Sequence, residues 1–236
     1  MSLPVRVGTL LVAFLAVVGG AIFVVIHFFL AGPPSVVFGS GVAPNAGNVV
    51  NVVLQEDPQN TVSNRPDWVS YFIQDPTTKK WLHTTLFQVP AGSMIHVTIL
   101  GYDGCTPLRN PLWGKITGTV GNVEYINGKP APVLNSWGGC NVAHTFSIPG
   151  IGLNVPVASP TTLAANTNLC GTSPCTPVEG GKPVPHTTVT FSFMSPKTPG
   201  DYFWHCKIPC GLGYLDGFGG PMQTIGYMTG QMEVVS

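Results

Sequence analysis

Charge is the scarcest property of this 236-residue chain: ten Lys or Arg against ten Asp or Glu, 8% of all residues, with a formal net charge of zero. So few cations cannot form the basic stripe that phosphate contacts require, which excludes nucleic-acid binding. Between Arg6 and Glu56 there is no Asp, Glu, Lys or Arg. Amphipathic helical periodicity is also missing outside the amino-terminal run, so a helical bundle is excluded. No C-x-x-C pair occurs among the six cysteines, which weakens a zinc-ribbon reading of the dispersed ones. No Ser-His-Asp, paired-carboxylate or phosphate-loop arrangement stands out, so hydrolytic chemistry has no support. What is abundant is apolar, 44% of the chain, and that excludes a solvated, disordered polymer.

Part of that apolar content is one continuous run, Gly8 to Ala31. About two dozen residues at about 1.5 Å each exceed a hydrocarbon core of about 30 Å, so the run predicts a membrane-spanning helix. It is too long for the core of a cleaved signal peptide. Arg6 precedes it, and the positive-inside rule then places the amino terminus in the cytoplasm and residues 33–236 outside the cell membrane. His27 falls near the outer edge of the span, where an imidazole reaches the interface. The predicted organisation is a tip and anchor over 1–32, an uncharged spacer over 33–51 opening on Pro33-Pro34, and an outer domain over 52–236.

In the outer domain, short segments rich in β-branched and aromatic residues are bounded by Gly, Pro, Asn or Asp. VVNVVL (49–54), WVSYFI (68–73), LHTTLFQV (82–89), SMIHVTILGY (93–102), HTFSIPG (144–150), TTVTFSFM (187–194), DYFWHC (201–206) and GQMEVV (230–235) read as strands. Val189, Phe191 and Phe193 share one face, as do Tyr202, Trp204 and Cys206. The fold class expected is mostly β, an antiparallel sandwich or barrel. Three excursions, 101–143, 153–185 and 211–228, are longer than hairpins need, and long loops in compact domains tend to carry function. Cys105 and Cys140 lie near the ends of the first and Cys170 and Cys175 inside the second. In an oxidising outer compartment these are expected to pair as Cys105–Cys140 and Cys170–Cys175, although spacing does not prove connectivity.

The remaining cysteines stand apart. In PGDYFWHCKIPCGLGY (199–214), Cys206 and Cys210 are separated by three residues at the end of a strand, where both thiolates can face one metal. His144 opens another strand, and Met228 begins the last. Thiolate, imidazole and thioether are soft or borderline donors that select copper over hard cations. A third disulfide is the other use for this pair, and His144 and Met228 can equally be core residues.

Together with His144-Thr-Phe-Ser-Ile-Pro-Gly-Ile-Gly-Leu-Asn-Val, Pro199-Gly200-Asp201-Tyr202 and Met228-Thr-Gly230, this loop resembles subunit II of the heme–copper terminal oxidases, the form with one membrane helix and an outer cupredoxin-like domain. The long excursions lie outside the resemblance. It implies a two-copper centre bridged by Cys206 and Cys210, with His144, the Ile208 carbonyl and Met228 as further ligands. It also implies a heme-bearing catalytic subunit I as partner and heme only there. The family's second histidine falls at Tyr214, and the segment from there to Met228 holds no histidine but a further thioether, Met222. A phenol is a hard donor and a poor substitute at a copper–thiolate centre. His205 neighbours Cys206 but alternation turns it to the opposite face.

Three functions therefore remain open. The chain is a terminal-oxidase subunit that passes electrons through copper, or is structural there if copper is absent. It is a free-standing tethered cupredoxin with mononuclear copper. Or it is a non-redox surface sandwich. The electron donor is a cupredoxin, a cytochrome or a quinol, since no acidic face marks a basic cytochrome's docking site. A surface with so few charges keeps its character across pH, which fits an acidic exterior.

Overall fold

Alternating β-branched and aromatic residues build strands throughout the region after Pro33. The computed structural model describes residues 3–26, 33–41, 43–44, 47–59, 68–131, 141–164, 167, 169–211 and 214–236; for 3–7 and 214 only the backbone is described. It divides into two units, Met1–Pro33 and Pro34–Ser236.

The first unit is one helix, α1 (Leu3–Val24). Among its described side chains Leu10, Phe14 and Phe23 are exposed. Among the described residues no helix is long and apolar enough to cross a membrane. The last part of the expected span, from His27 to Ala31, lies outside the described residues.

The second unit is mostly β. In chain order its strands are β1 (Ser35–Val37), β2 (Val49–Asp57), β3 (Ser70–Gln74), β4 (Trp81–Leu82), β5 (Leu86–Pro90), β6 (Met94–Gly101), β7 (Glu124–Ile126) and β8 (Lys129–Ala131). They continue with β9 (Val142–Ile148), β10 (Leu153–Ala158), β11 (Val178–Glu179), β12 (Lys182–Pro183), β13 (Thr187–Met194), β14 (Gly200–His205) and β15 (Thr229–Val235). One sheet has the order β1-β5-β15-β14-β9-β10, the other β4-β3-β2-β6-β13-β7-β8, and β11-β12 is a separate hairpin.

The purely antiparallel sandwich expected from sequence is corrected to two mixed sheets. β1 with β5, β5 with β15, and β2 with β6 run parallel. Only a tight hairpin forces neighbours to be antiparallel, and these partners are joined through long intervening chain. The stretch read as spacer over 33–51 contains β1 and the start of β2, and Val36 and Phe38 are already buried. The excursions likewise hold β7 and β8, and β10 with the β11-β12 hairpin.

The core lies between the sheets. Along β13, Val189, Phe191 and Phe193 are buried while Thr188, Thr190 and Ser192 are less so, the alternation expected of a half-buried strand. β9 is buried along its whole length on both faces. Cys170 and Cys175 form the expected disulfide. Cys105 is disulfide-bonded too, and its expected partner Cys140 lies outside the described residues.

Candidate metal centre

Trp204 fixes the floor of the centre. Its indole is fully buried on β14, packs edge-on against Tyr71 at 5.1 Å and tilted against Phe146 at 4.8 Å, and donates to the Thr85 carbonyl at 3.1 Å. Gly230, opposite Trp204 on β15, leaves room for this; a Cβ there would fall on the Thr85 carbonyl and the indole nitrogen. β14 then ends at His205 and the chain enters the Cys206–Cys210 loop. His205 pairs with Ser147 on β9, which brings His144, three residues earlier on β9, beside that loop.

The structure gathers His144, Cys206 and Cys210. One donor atom from each lies within 4.8 Å of the others, and all three residues are buried. His144 Nδ1 is 3.7 Å from Cys206 Sγ, and the two sulfurs are 4.0 Å apart. The backbone N–H groups of Thr145 and Ile208 donate to Cys206 Sγ at 3.4 and 3.3 Å. The Ile208 carbonyl is 3.5 Å from the same sulfur. Four partners thus converge on one thiol.

Their effect is electrostatic. Burial pushes the Cys206 thiol up, but the bonds from Cys210 and His144 outweigh it and hold the group well below the usual thiol range. Cys210 moves the other way, raised by burial and by the neighbouring Cys206 charge. The pair is one thiolate supported by one thiol, and the thiolate is the metal-binding form. For His144, burial disfavours the cation, yet the Glu56 charge and the Asp103 hydrogen bond keep its pKa well above the usual imidazole value.

A thioether outside the expected ligand set also reaches the cluster: Met222 Sδ, in the extra segment, lies 2.8 Å from Cys210 Sγ. Met228 is fully buried in the core, and its carbonyl accepts from the Cys206 N–H at 3.0 Å. The side chain of Tyr214 lies outside the described residues. Three other histidines are engaged elsewhere: His96 with Ser192 Oγ, His186 with the Val184 carbonyl, and His83 between Phe72 and Tyr227.

Three residues that sequence reasoning passed over complete the surroundings. His144 Nε2 is 2.9 Å from Asp103 Oδ2 and 3.0 Å from Glu56 Oε1, with all three side chains at 0% exposure. An imidazole whose second nitrogen is held by a carboxylate has a fixed orientation, with Nδ1 turned to the sulfurs. Burial lifts Glu56 to about 7, against the opposing pull of His144. Tyr71, the third, is raised by burial and by the Cys206 and Glu56 charges around it. In sequence the strand signal VVNVVL stops at Leu54, whereas β2 continues through the buried Gln55, Glu56 and Asp57.

The donor chemistry fits copper: two thiol sulfurs, a thioether and an imidazole nitrogen in a dry pocket. Neither a protein-family model nor a curated protein matches the chain. Among solved structures it is similar to rusticyanin from Thiobacillus ferrooxidans, at 17% identity over 80% of this chain and 79% of that one, with a TM-score of 0.30. A substituted rusticyanin gives 19% identity, 80% and 79% coverage and a TM-score of 0.31. Reduced rusticyanin gives 17%, 87% of each chain and 0.29. TM-scores of this size carry no weight for fold or ligand.

Proposed function

We propose that this chain is a membrane-tethered, copper-binding electron-transfer protein of cupredoxin type, working as a subunit II-like component of a prokaryotic terminal oxidase. One observation carries the copper reading: His144, Cys206 and Cys210 converge in a buried cluster with Met222 against the second thiol. Bound copper would supply one-electron redox chemistry. His144, Cys206, Cys210 and Met222 would hold it, and the Thr145 and Ile208 N–H groups would stabilise negative charge on Cys206.

Burial argues for electron transfer over substrate turnover. His144, Cys206 and Cys210 are at most 2% exposed, so an electron can enter where a substrate cannot. Helix α1 and the five residues His27–Ala31 that follow in the apolar run would anchor the domain on the outer face. The partner would be a heme-bearing catalytic subunit I, and the donor a cupredoxin, a cytochrome or a quinol. The second reading, a free-standing carrier with one copper at His144, Cys206 and a methionine, is favoured by the 3.7 Å approach of His144 Nδ1 to Cys206 Sγ.

Electron paramagnetic resonance of the copper-loaded full chain, with metal counted per chain, tests both. A signal shared over two coppers and copurification with a heme protein support the oxidase reading. A one-copper signal and isolation alone in mild detergent support the carrier. Cys206→Ser is expected to lower copper affinity at least a hundredfold, and a folded chain that takes up no copper would overturn both readings.

A further inference from the structure

The side of His144 turned away from the sulfurs carries more acceptor oxygen than one imidazole hydrogen can serve. The hydrogen at Nε2 is directed to Asp103 Oδ2 at 2.9 Å, while Glu56 Oε1, 3.0 Å from the same nitrogen, has no hydrogen-bond partner among the described residues. The other oxygen of each carboxylate is held by backbone: Glu56 Oε2 accepts from the Asp103 N–H at 3.3 Å, and Asp103 Oδ1 from the Gly104 N–H at 2.6 Å. Glu56 Oε1 and Asp103 Oδ2 therefore both lie within 3.0 Å of Nε2.

A second observation lies on the neighbouring strand. Tyr71 stands directly opposite Glu56 in the β2–β3 register, so the two side chains share a face. Tyr71 is fully buried, and its hydroxyl has no hydrogen-bond partner among the described residues. Leaving two buried oxygens unserved on one face is costly, and native proteins rarely do it without a bound species to serve them.

We propose that Glu56, Asp103 and Nε2 of His144 form a second metal site, for a first-row divalent cation held by oxygen and nitrogen, with Tyr71 beside it. The spacing suits such an ion. Adjacent donors on an octahedral cation with bonds of about 2.1 Å lie about 3.0 Å apart, which matches the separations at Nε2. Two carboxylates with one imidazole select borderline cations such as zinc or cobalt, whereas the sulfur side selects copper. On binding, the Nε2 proton leaves to solvent. With only this side filled, the ring keeps its other hydrogen on Nδ1; with both filled, His144 bridges the two ions as imidazolate. The oxygen side reaches beyond the copper reading and stands without it.

Cobalt(II) is the probe, because sulfur ligation gives an intense near-ultraviolet band and oxygen–nitrogen ligation gives only weak visible bands. Added to copper-loaded full-length protein, it is expected to bind at one ion per chain with weak visible bands alone. If the chain takes up no copper, the Cys206→Ser, Cys210→Ser double variant presents the oxygen side by itself, and one cobalt per chain with the same weak bands is again expected. Glu56→Gln is expected to weaken cobalt binding at least tenfold, with near-ultraviolet circular dichroism reporting its fold. Absence of cobalt uptake by either folded protein overturns the site, as does a sulfur band accompanying all bound cobalt or unchanged affinity in folded Glu56→Gln. If Glu56→Gln does not fold, the stoichiometry and band shape of the unsubstituted chain decide.

Discussion

The carboxyls at His144 and the carboxyl of Glu124 on β7 are equally buried and opposite in character. Around His144, Glu56 and Asp103 face an imidazole and two backbone N–H groups, so charge is shared within a network. Glu124 has no hydrogen-bond partner on either oxygen among the described residues, and burial alone lifts its pKa to about 9. At neutral pH it is a neutral acid. Burial by itself therefore says little; a buried carboxyl organises a site only where the fold brings donors to it.

Replacing carboxyl by amide in each region sharpens this contrast, because the two effects have opposite sign. Asp103→Asn is expected to destabilise the domain by about 2–3 kcal/mol at pH 7, read from denaturant midpoints, since it removes a carboxylate from a buried network and leaves His144 with Glu56 alone. Equal or higher stability would show that the His144 cluster is no network. Glu124→Gln is expected to raise stability at pH 8 by about 2 kcal/mol and to change nothing at pH 4. The sign follows from proton uptake. The folded state holds the Glu124 proton up to about pH 9, while the unfolded chain releases it near the ordinary glutamate value of 4.5, so Glu124 contributes most below pH 4.5 and loses that contribution as pH rises to 9. A melting profile of the wild-type domain should accordingly fall from pH 5 to pH 9, and one that rises would contradict it.

The smallest effect separates the two methionines. Met222→Leu is expected to shift the copper charge-transfer band and lower copper affinity several-fold, because its sulfur touches Cys210. Met228→Leu should act chiefly on stability, by less than about 1.5 kcal/mol for a swap of nearly equal volume. The reverse ranking in absorption titrations would restore Met228 as the ligand.

Much of the sandwich was legible because strand periodicity is local. TTVTFSFM coincides with β13, and DYFWHC places Trp204 and Cys206 inward as alternation requires. His144, Cys206 and Cys210 were legible because their donor atoms are scarce and chemically distinctive. Glu56, Asp103 and Tyr71 were not, since nothing in their local sequence marks a carboxylate or phenol as buried. Glu56 reaches His144 only because β2 continues through Asp57, and Asp103 only because the chain turns just after β6. Parallel pairing was equally hidden, as strand direction between distant segments depends on the path of the chain between them.

The sequence by itself determined the material: a nearly uncharged chain, an apolar amino-terminal run, alternating strands and two cysteines spaced to face one metal. Those properties are set by residue type and short-range period, which survive without a fold. Only the tertiary structure decided which side chains share the pocket, placing Met222 against Cys210 and two carboxylates behind His144. The physical reason is that ligation and charge coupling act over about 3 Å through space, between residues that lie up to a hundred positions apart in the chain.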